Sequence, residues 1–156
     1  MPKGEIVEPR PYDELGQSEL LALCCWREAR GEPLEGKLAQ CWSVKNRVQK
    51  PGWWGRDWHS VILKPFQYSA FNANDPNATK WPVEGPDWEQ CQHVAETVMN
   101  EEIPDPTDGA THYFDTSISF PKSWGNEAEW VNTLNVGRLR FWKVKPREDL
   151  SAEEDV

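Results

Sequence analysis

No stretch of this chain is apolar for long enough to span a bilayer, which takes about 20 consecutive apolar residues. The opening residues, Met1 to Glu8, lack an apolar core, so no secretory signal is read there and the chain is expected to be cytoplasmic when made. Basic charge is also short. Lys and Arg number 17 against 26 Asp and Glu, a net charge of −9, and the sequence pI is near 4.8. Phosphate contacts need clustered Lys and Arg, so nucleic acid and anionic membranes are excluded as expected partners. Cysteine is limited to Cys24, Cys25, Cys41 and Cys91. None of them has zinc-ligand spacing, and Cys91 with His93 makes only a short pair. No metal or cofactor is expected, and all four read as small buried thiols of a reducing compartment.

Tryptophan, by contrast, is plentiful. There are ten in 156 residues, in a chain whose mean hydropathy is only −0.78. The length suits one domain and one core. Part of the tryptophan belongs to that core. The rest suggests flat apolar faces for a ligand, and with an acidic protein sugar rings suit them better than bases do.

Residues 1–17, with Pro2, Pro9, Pro11, Gly4 and Gly16, read as an extended leader on the surface. Residues 18–30 read as a helix, with Ser18 as N-cap, Glu19 in the first turn and Gly31 at a left-handed C′ position before Pro33. A second helix is expected from Leu34 to Val48, with the stripe Leu38, Cys41, Trp42, Val44 and Val48. Residues 52–60 form a Trp-rich loop, and Asp57 caps a short helix through Leu63. Residues 73–86 read as irregular, and Asp87 caps a third long helix over 88–100. Two β-prone runs follow, Ala110 to Asp115 and Asn135 to Trp142, with a Trp-bearing loop over 116–130 between them. The last residues, 146–156, form an acidic tail. The domain proper is therefore 18–145, an α+β fold that is mainly helical with a small β element.

The stretch Glu28-Ala29-Arg30-Gly31-Glu32 is the strongest candidate for chemistry. With Leu20 at zero and about 100° per residue, Glu28 falls near about 80°, inside the arc of Leu21, Cys24 and Cys25. A carboxylate held among apolar groups has its charged form disfavoured, and its pKa rises. That lets a carboxylic acid donate a proton near neutral pH. The alternative is a helix-end glutamate paired with Arg27 or Arg30, its head in water. Arg30 is read as holding a structural ion pair.

Glu28 to Pro33, then Glu35-Gly36, then Asn46-Arg47-Val48 resemble the start of the SleB/CwlJ-like cell wall hydrolase family. In order after them, Phe66 to Ser69, Asp105 to Tyr113, Ser123-Trp124 and Val136-Gly137 with Phe141 resemble later segments of that family. Together they span Leu20 to Trp142. The resemblance implies a compact lysozyme-like fold and a peptidoglycan-cleaving enzyme. It implies a lytic transglycosylase acting between N-acetylmuramic acid and N-acetylglucosamine, with Glu28 as catalytic acid and base. One carboxylic acid suffices for that reaction, whereas ordinary glycosidases use two. Tyr68, Ser69, Asn72, His112 and Tyr113 have groups suited to sugar hydroxyls and acetamido groups. Glu32 is a candidate second carboxylate for binding at the same site, with a cap on the second helix or a pair with an arginine as the alternatives. Trp53, Trp54 and Trp58 are candidate floor residues for a glycan groove.

The sequence departs from the family where Gln40-Cys41-Trp42 replaces small residues, and where Arg138-Leu139-Arg140 stands in place of a histidine. The missing export signal suggests a phage endolysin that waits for a membrane pore. The expected partner is the peptidoglycan glycan strand, bound by a monomer. Two other readings remain open. One is a muramidase that hydrolyses the same bond, with Asp115 or Asp75 positioning water. The other is a binding module that holds glycan without cleaving it.

Overall fold

The structure is a computed structural model and describes residues 4–65 and 67–146, with the side chain of Ser69 also left aside. The expected acidic tail past Pro146, and Phe66 of the family-like segment, lie outside the described residues. Four helices form the larger part: α1 (Gln17–Ala29), α2 (Leu34–Gln49), α3 (Trp58–Leu63) and α4 (Pro86–Met99). Three strands complete it: β1 (His112–Asp115), β2 (Trp130–Val136) and β3 (Leu139–Val144). They make one antiparallel sheet in the order β1-β3-β2. The fold is thus α+β and mainly helical, as expected. Among the described residues no helix is long and apolar enough to cross a membrane.

Helix α1 is the centre of the core. Six consecutive residues, Leu20 to Cys25, are buried, so this helix is wrapped on all sides rather than on one stripe. It packs against α2, α3 and α4. All four cysteines are free and buried in this core. A second, smaller cluster joins the sheet to the helix ends: Ala29, Ala39, Ala110, Leu139 and Phe141. Its three alanines let the backbones of α1, α2 and the segment before β1 approach closely, and fully buried Phe141 fills the space between them.

Several element ends differ from the expectation. The N-cap of α1 is Gly16, not Ser18, because Glu19 Oε1 reaches back to accept the Gly16 N–H at 3.2 Å. The same bond lowers the pKa of Glu19. Gly31 is not left-handed. Arg30 ends α1 in helical geometry, and the Glu32 N–H closes a turn onto Ala29 O at 2.9 Å. Helix α4 starts two residues earlier than an Asp87 cap would place it, with Gly85 at φ 151° as N-cap and Pro86 in the first turn, where a missing N–H costs nothing. Asp57 does cap α3, accepting the Ser60 N–H at 2.8 Å. The segment before α1 is not loose: Val7 N–H donates to Pro82 O at 2.8 Å, and Ile6 pairs with Val83.

The expected last strand, Asn135 to Trp142, is two strands. The chain turns at Gly137-Arg138, and Val136 faces Leu139 across a two-residue loop. Gly137 has φ +53°, at the loop position where hairpin turns favour glycine. Strand β2 escaped notice because Asn132 and Asn135 interrupt its apolar alternation and a bulge at Thr133 shifts its register.

This hairpin is tied to the helices by Glu32. Its Oε1 accepts the Arg138 N–H at 3.0 Å. A β-carbon on Gly137 would lie 2.2 Å from Glu32 Oε2. Gly137→Ala is therefore expected to lose about 2 kcal/mol, from the left-handed backbone and the displaced carboxylate. Thermal melting is the check, and an unchanged midpoint would mean that Glu32 does not clamp this turn.

Candidate active site

One end of the bundle and one face of the sheet enclose a cleft of about 790 Å³. Glu28 enters it from the last turn of α1, Arg47 from α2, and His112 and Tyr113 from β1. Trp53 and Trp54 reach it from the loop before α3, and Trp124 and Trp130 from the far wall. Glu28 therefore reaches the cleft from the last turn of a helix that is otherwise buried in the core. It does not pair with its arginine neighbours. Arg27 also lines the cleft, but its guanidinium donates to Lys80 O at 3.0 Å, Ala78 O at 3.2 Å and Tyr12 Oη at 2.8 Å. Arg30 holds no carboxylate either. It reaches Asn77 Oδ1 at 3.4 Å and lies over the Trp26 ring at 4.4 Å.

The carboxyl of Glu28 is only partly exposed, and burial pushes its pKa up to about 7. A hydrogen bond from the Tyr113 hydroxyl opposes this rise, and the negative charge of Asp75 adds to it. The Tyr113 oxygen in turn accepts from Gln40 Nε2 at 3.4 Å. Near pH 7, Glu28 is thus poised between acid and base, the condition for giving and taking a proton. Asp75 has its Oδ1 bonded to the Asn77 N–H at 2.8 Å.

Arg47 is buried in the back wall. Its Nε donates to Thr111 O at 2.6 Å and its Nη1 to Gln67 Oε1 at 3.1 Å. Its guanidinium lies 5.4 Å from the Trp54 ring centre and 5.2 Å from that of Tyr68. Beside it, His112 is pushed down to about 3 by burial and by the Arg47 charge. The imidazole is therefore neutral at any working pH, with Nδ1 2.8 Å from Thr111 Oγ1. The rings of Trp124 and Trp130 meet it edge-on at 4.9 and 4.7 Å. Tyr68 lines the cleft from below, and its buried hydroxyl has no hydrogen-bond partner among the described residues.

Of the residues singled out from sequence, the cleft brings together Glu28, Tyr68, His112 and Tyr113. Glu32 and Asn72 stand outside its lining. Glu32 is occupied with the β2–β3 turn. Asn72 is half-buried, with its carbonyl accepting the Asp75 N–H at 2.9 Å. The side chain of Ser69 is outside the described residues. Trp53 and Trp54 line the cleft, while Trp58 is buried in the main core. Asp115 sits at the cleft edge, its pKa lowered by the Ser117 N–H and by Arg138, whose Nη2 is 3.0 Å away. Sequence reasoning assigned no role to Arg47, Gln40 or Trp130. Arg47 stood within a family-like segment, so a signal existed; Trp130 had none. Among the described residues no three His, Cys, Asp or Glu side chains gather as a metal site.

A carboxylic acid poised near neutrality in an open, tryptophan-walled cleft is the equipment of a glycan-cleaving enzyme. The sequence profile of the cell wall hydrolase family matches residues 31–142, most of the chain, and this protein belongs to that family of peptidoglycan-degrading enzymes. The matched region begins three residues after Glu28. The fold is similar to that of the catalytic domain of the Bacillus cereus SleB protein. The two are 23% identical with a TM-score of 0.63, over 88% of this chain and 100% of that one. It is also similar to the catalytic domain of the germination-specific lytic transglycosylase SleB from Bacillus anthracis. Here the identity is 22% and the TM-score 0.64, over 86% of this chain and 100% of that one. No curated protein sequence matches the chain.

Proposed function

We propose that this protein cuts the peptidoglycan glycan strand between N-acetylmuramic acid and N-acetylglucosamine as a lytic transglycosylase, with Glu28 as the single acid and base. The observation that carries the reading is the Glu28 carboxyl, partly buried in the cleft with its pKa raised to about 7. Protonated Glu28 gives its proton to the glycosidic oxygen, and the bond from that oxygen to the muramic C1 breaks. The carboxylate so formed takes the proton of the muramic C6 hydroxyl. That oxygen closes onto C1, giving a 1,6-anhydro end and restoring protonated Glu28. No water is consumed. The likeness in fold to a lytic transglycosylase supports this course over hydrolysis.

Hydrolysis of the same bond is the second reading, and the closeness of Asp75 to Glu28 favours it. Asp75 is near enough for its charge to raise the Glu28 pKa but stands outside the cleft lining, whereas Asp115 lines the cleft, so both are candidates to position a water. Mass spectrometry of fragments released from purified peptidoglycan separates the two. Anhydro ends, each lighter by one water, support the transglycosylase. Reducing ends throughout would move the assignment to the hydrolase, and no release from any wall type would leave only glycan binding.

The tryptophan walls are proposed to hold the strand. Trp53 is 60% exposed, so its removal should leave the fold intact. Trp53→Ala is expected to weaken glycan binding about tenfold through lost ring stacking, with the melting temperature unchanged. Binding of soluble muropeptide chains, followed by calorimetry, reads this directly. Unaltered affinity would remove Trp53 from the binding surface.

A further inference from the structure

Gln40 lies one helix behind the cleft and is fully buried. A glutamine in such a place must spend its amide on something. Its Nε2 lies 3.4 Å from Tyr113 Oη and 3.4 Å from Cys24 Sγ, and its Oε1 accepts from Cys41 Sγ at 3.6 Å. The amide orientation is consistent throughout: both donors face acceptors and the acceptor faces a thiol. This arrangement has a consequence for Tyr113. A phenol has one proton, and its oxygen here already accepts from Gln40. The Tyr113 proton is therefore free to point toward Glu28, which shares the cleft lining with Tyr113 and whose pKa the Tyr113 hydroxyl lowers.

We infer that Gln40 is a positioning residue: it orients the Tyr113 hydroxyl as a one-way donor to Glu28, and so sets how readily Glu28 gives up and takes back its proton. The inference rests on the role proposed above for Glu28. A donor behind a donor strengthens the forward bond, because hydrogen bonds in a chain polarise one another. The forward bond favours the Glu28 anion, so Gln40 favours it indirectly. It never touches the cleft and acts only through Tyr113.

The test is Gln40→Met, which keeps the length and volume of the side chain but has no amide. The titration of the Glu28 carboxyl is followed by carbon NMR in wild type, Gln40→Met, Tyr113→Phe and the double variant. Losing the Gln40 donor should move the Glu28 titration to higher pH by about half a unit, and losing Tyr113 by more. In the Tyr113→Phe background the Gln40 substitution should add nothing. The alkaline limb of glycan release should move in parallel. A titration in Gln40→Met that coincides with wild type would overturn the inference and leave Gln40 as packing. So would an equal shift with and without Tyr113, which would indicate a general rearrangement. Because the NMR titration needs no activity, it still decides the matter if glycan cleavage is not observed. Should Gln40→Met not fold, Gln40→Leu is read in the same titration, since it also removes the amide donor and adds no titrating group.

Discussion

Replacing Glu28 with glutamine is expected to lower glycan release by about 10³-fold or more, while making the protein more stable at alkaline pH. The first half follows from chemistry. Glutamine keeps the shape of the side chain and still accepts from Tyr113, but it has no proton to give the leaving oxygen. The second half follows from linkage. The folded pKa of Glu28 is about 7 against an ordinary 4.5, so the folded state holds a proton that the unfolded state has lost between those values. Stability from this group is therefore full below about pH 4.5 and is lost as pH rises through about 7. The variant has no such loss. At pH 8 it should exceed wild type by about 3 kcal/mol, and at pH 4 the difference should vanish. Melting curves at the two pH values, together with muropeptide release, are the measurement. An inactive variant without the pH-dependent gain would mean that Glu28 is not desolvated. A fully active one would remove it from the mechanism.

The second large effect is expected at Asp105, outside the cleft. Its Oδ1 accepts the Thr107 N–H at 2.8 Å and the Thr107 hydroxyl at 2.7 Å. Its Oδ2 accepts the Gly109 N–H and Asn46 Nδ2, both at 2.9 Å. Asn46 also donates to Ala110 O at 2.9 Å. Four donors thus converge on one carboxylate, and this knot holds a turn in which Asp108 has φ 52° and Gly109 φ 85°. The chain leaves the turn directly into Thr111, His112 and Tyr113. Asp105→Ala strands donors around the fully buried Thr107, and the loss should reach about 3 kcal/mol or more. For a domain of this size the melting temperature should fall by about 6–12 °C. Asp105→Asn should recover little, because its amide turns two further protons toward groups that are already donors. Wild-type stability in the asparagine variant would refute this account. Activity measured well below the new midpoint should also fall, since the turn sets where Tyr113 meets Glu28.

Both predictions rest on residues that the sequence announced unequally. Glu28 was legible because it is local: helical spacing alone turns it toward the face of Leu21, Cys24 and Cys25, and the structure has it there. The three long helices were legible for the same reason, since their apolar periodicity lies within each segment. Helix ends were less so. Gly31 and Asp87 have the right chemistry for caps, yet the chain ends those helices at Arg30 and begins at Gly85 because the neighbouring turns take a different course. Strand β2 was hidden by its asparagines and its bulge, which only pairing with β3 explains.

The sequence by itself determined the class of fold, the family and the candidacy of Glu28, because spacing, composition and ordered motifs are properties of the chain taken locally. Only the tertiary structure decided what surrounds them. It set Glu32 against the Arg138 N–H of a turn 106 residues away, took Trp58 into the core, and brought Trp124 and Trp130 around His112. It also set Gln40 of α2 behind Tyr113 of β1, and Tyr113 in one cleft with Glu28 of α1. The physical reason is the same in each case: hydrogen bonds and ring contacts between distant segments depend on how helices and sheet pack, and no local pattern encodes that distance.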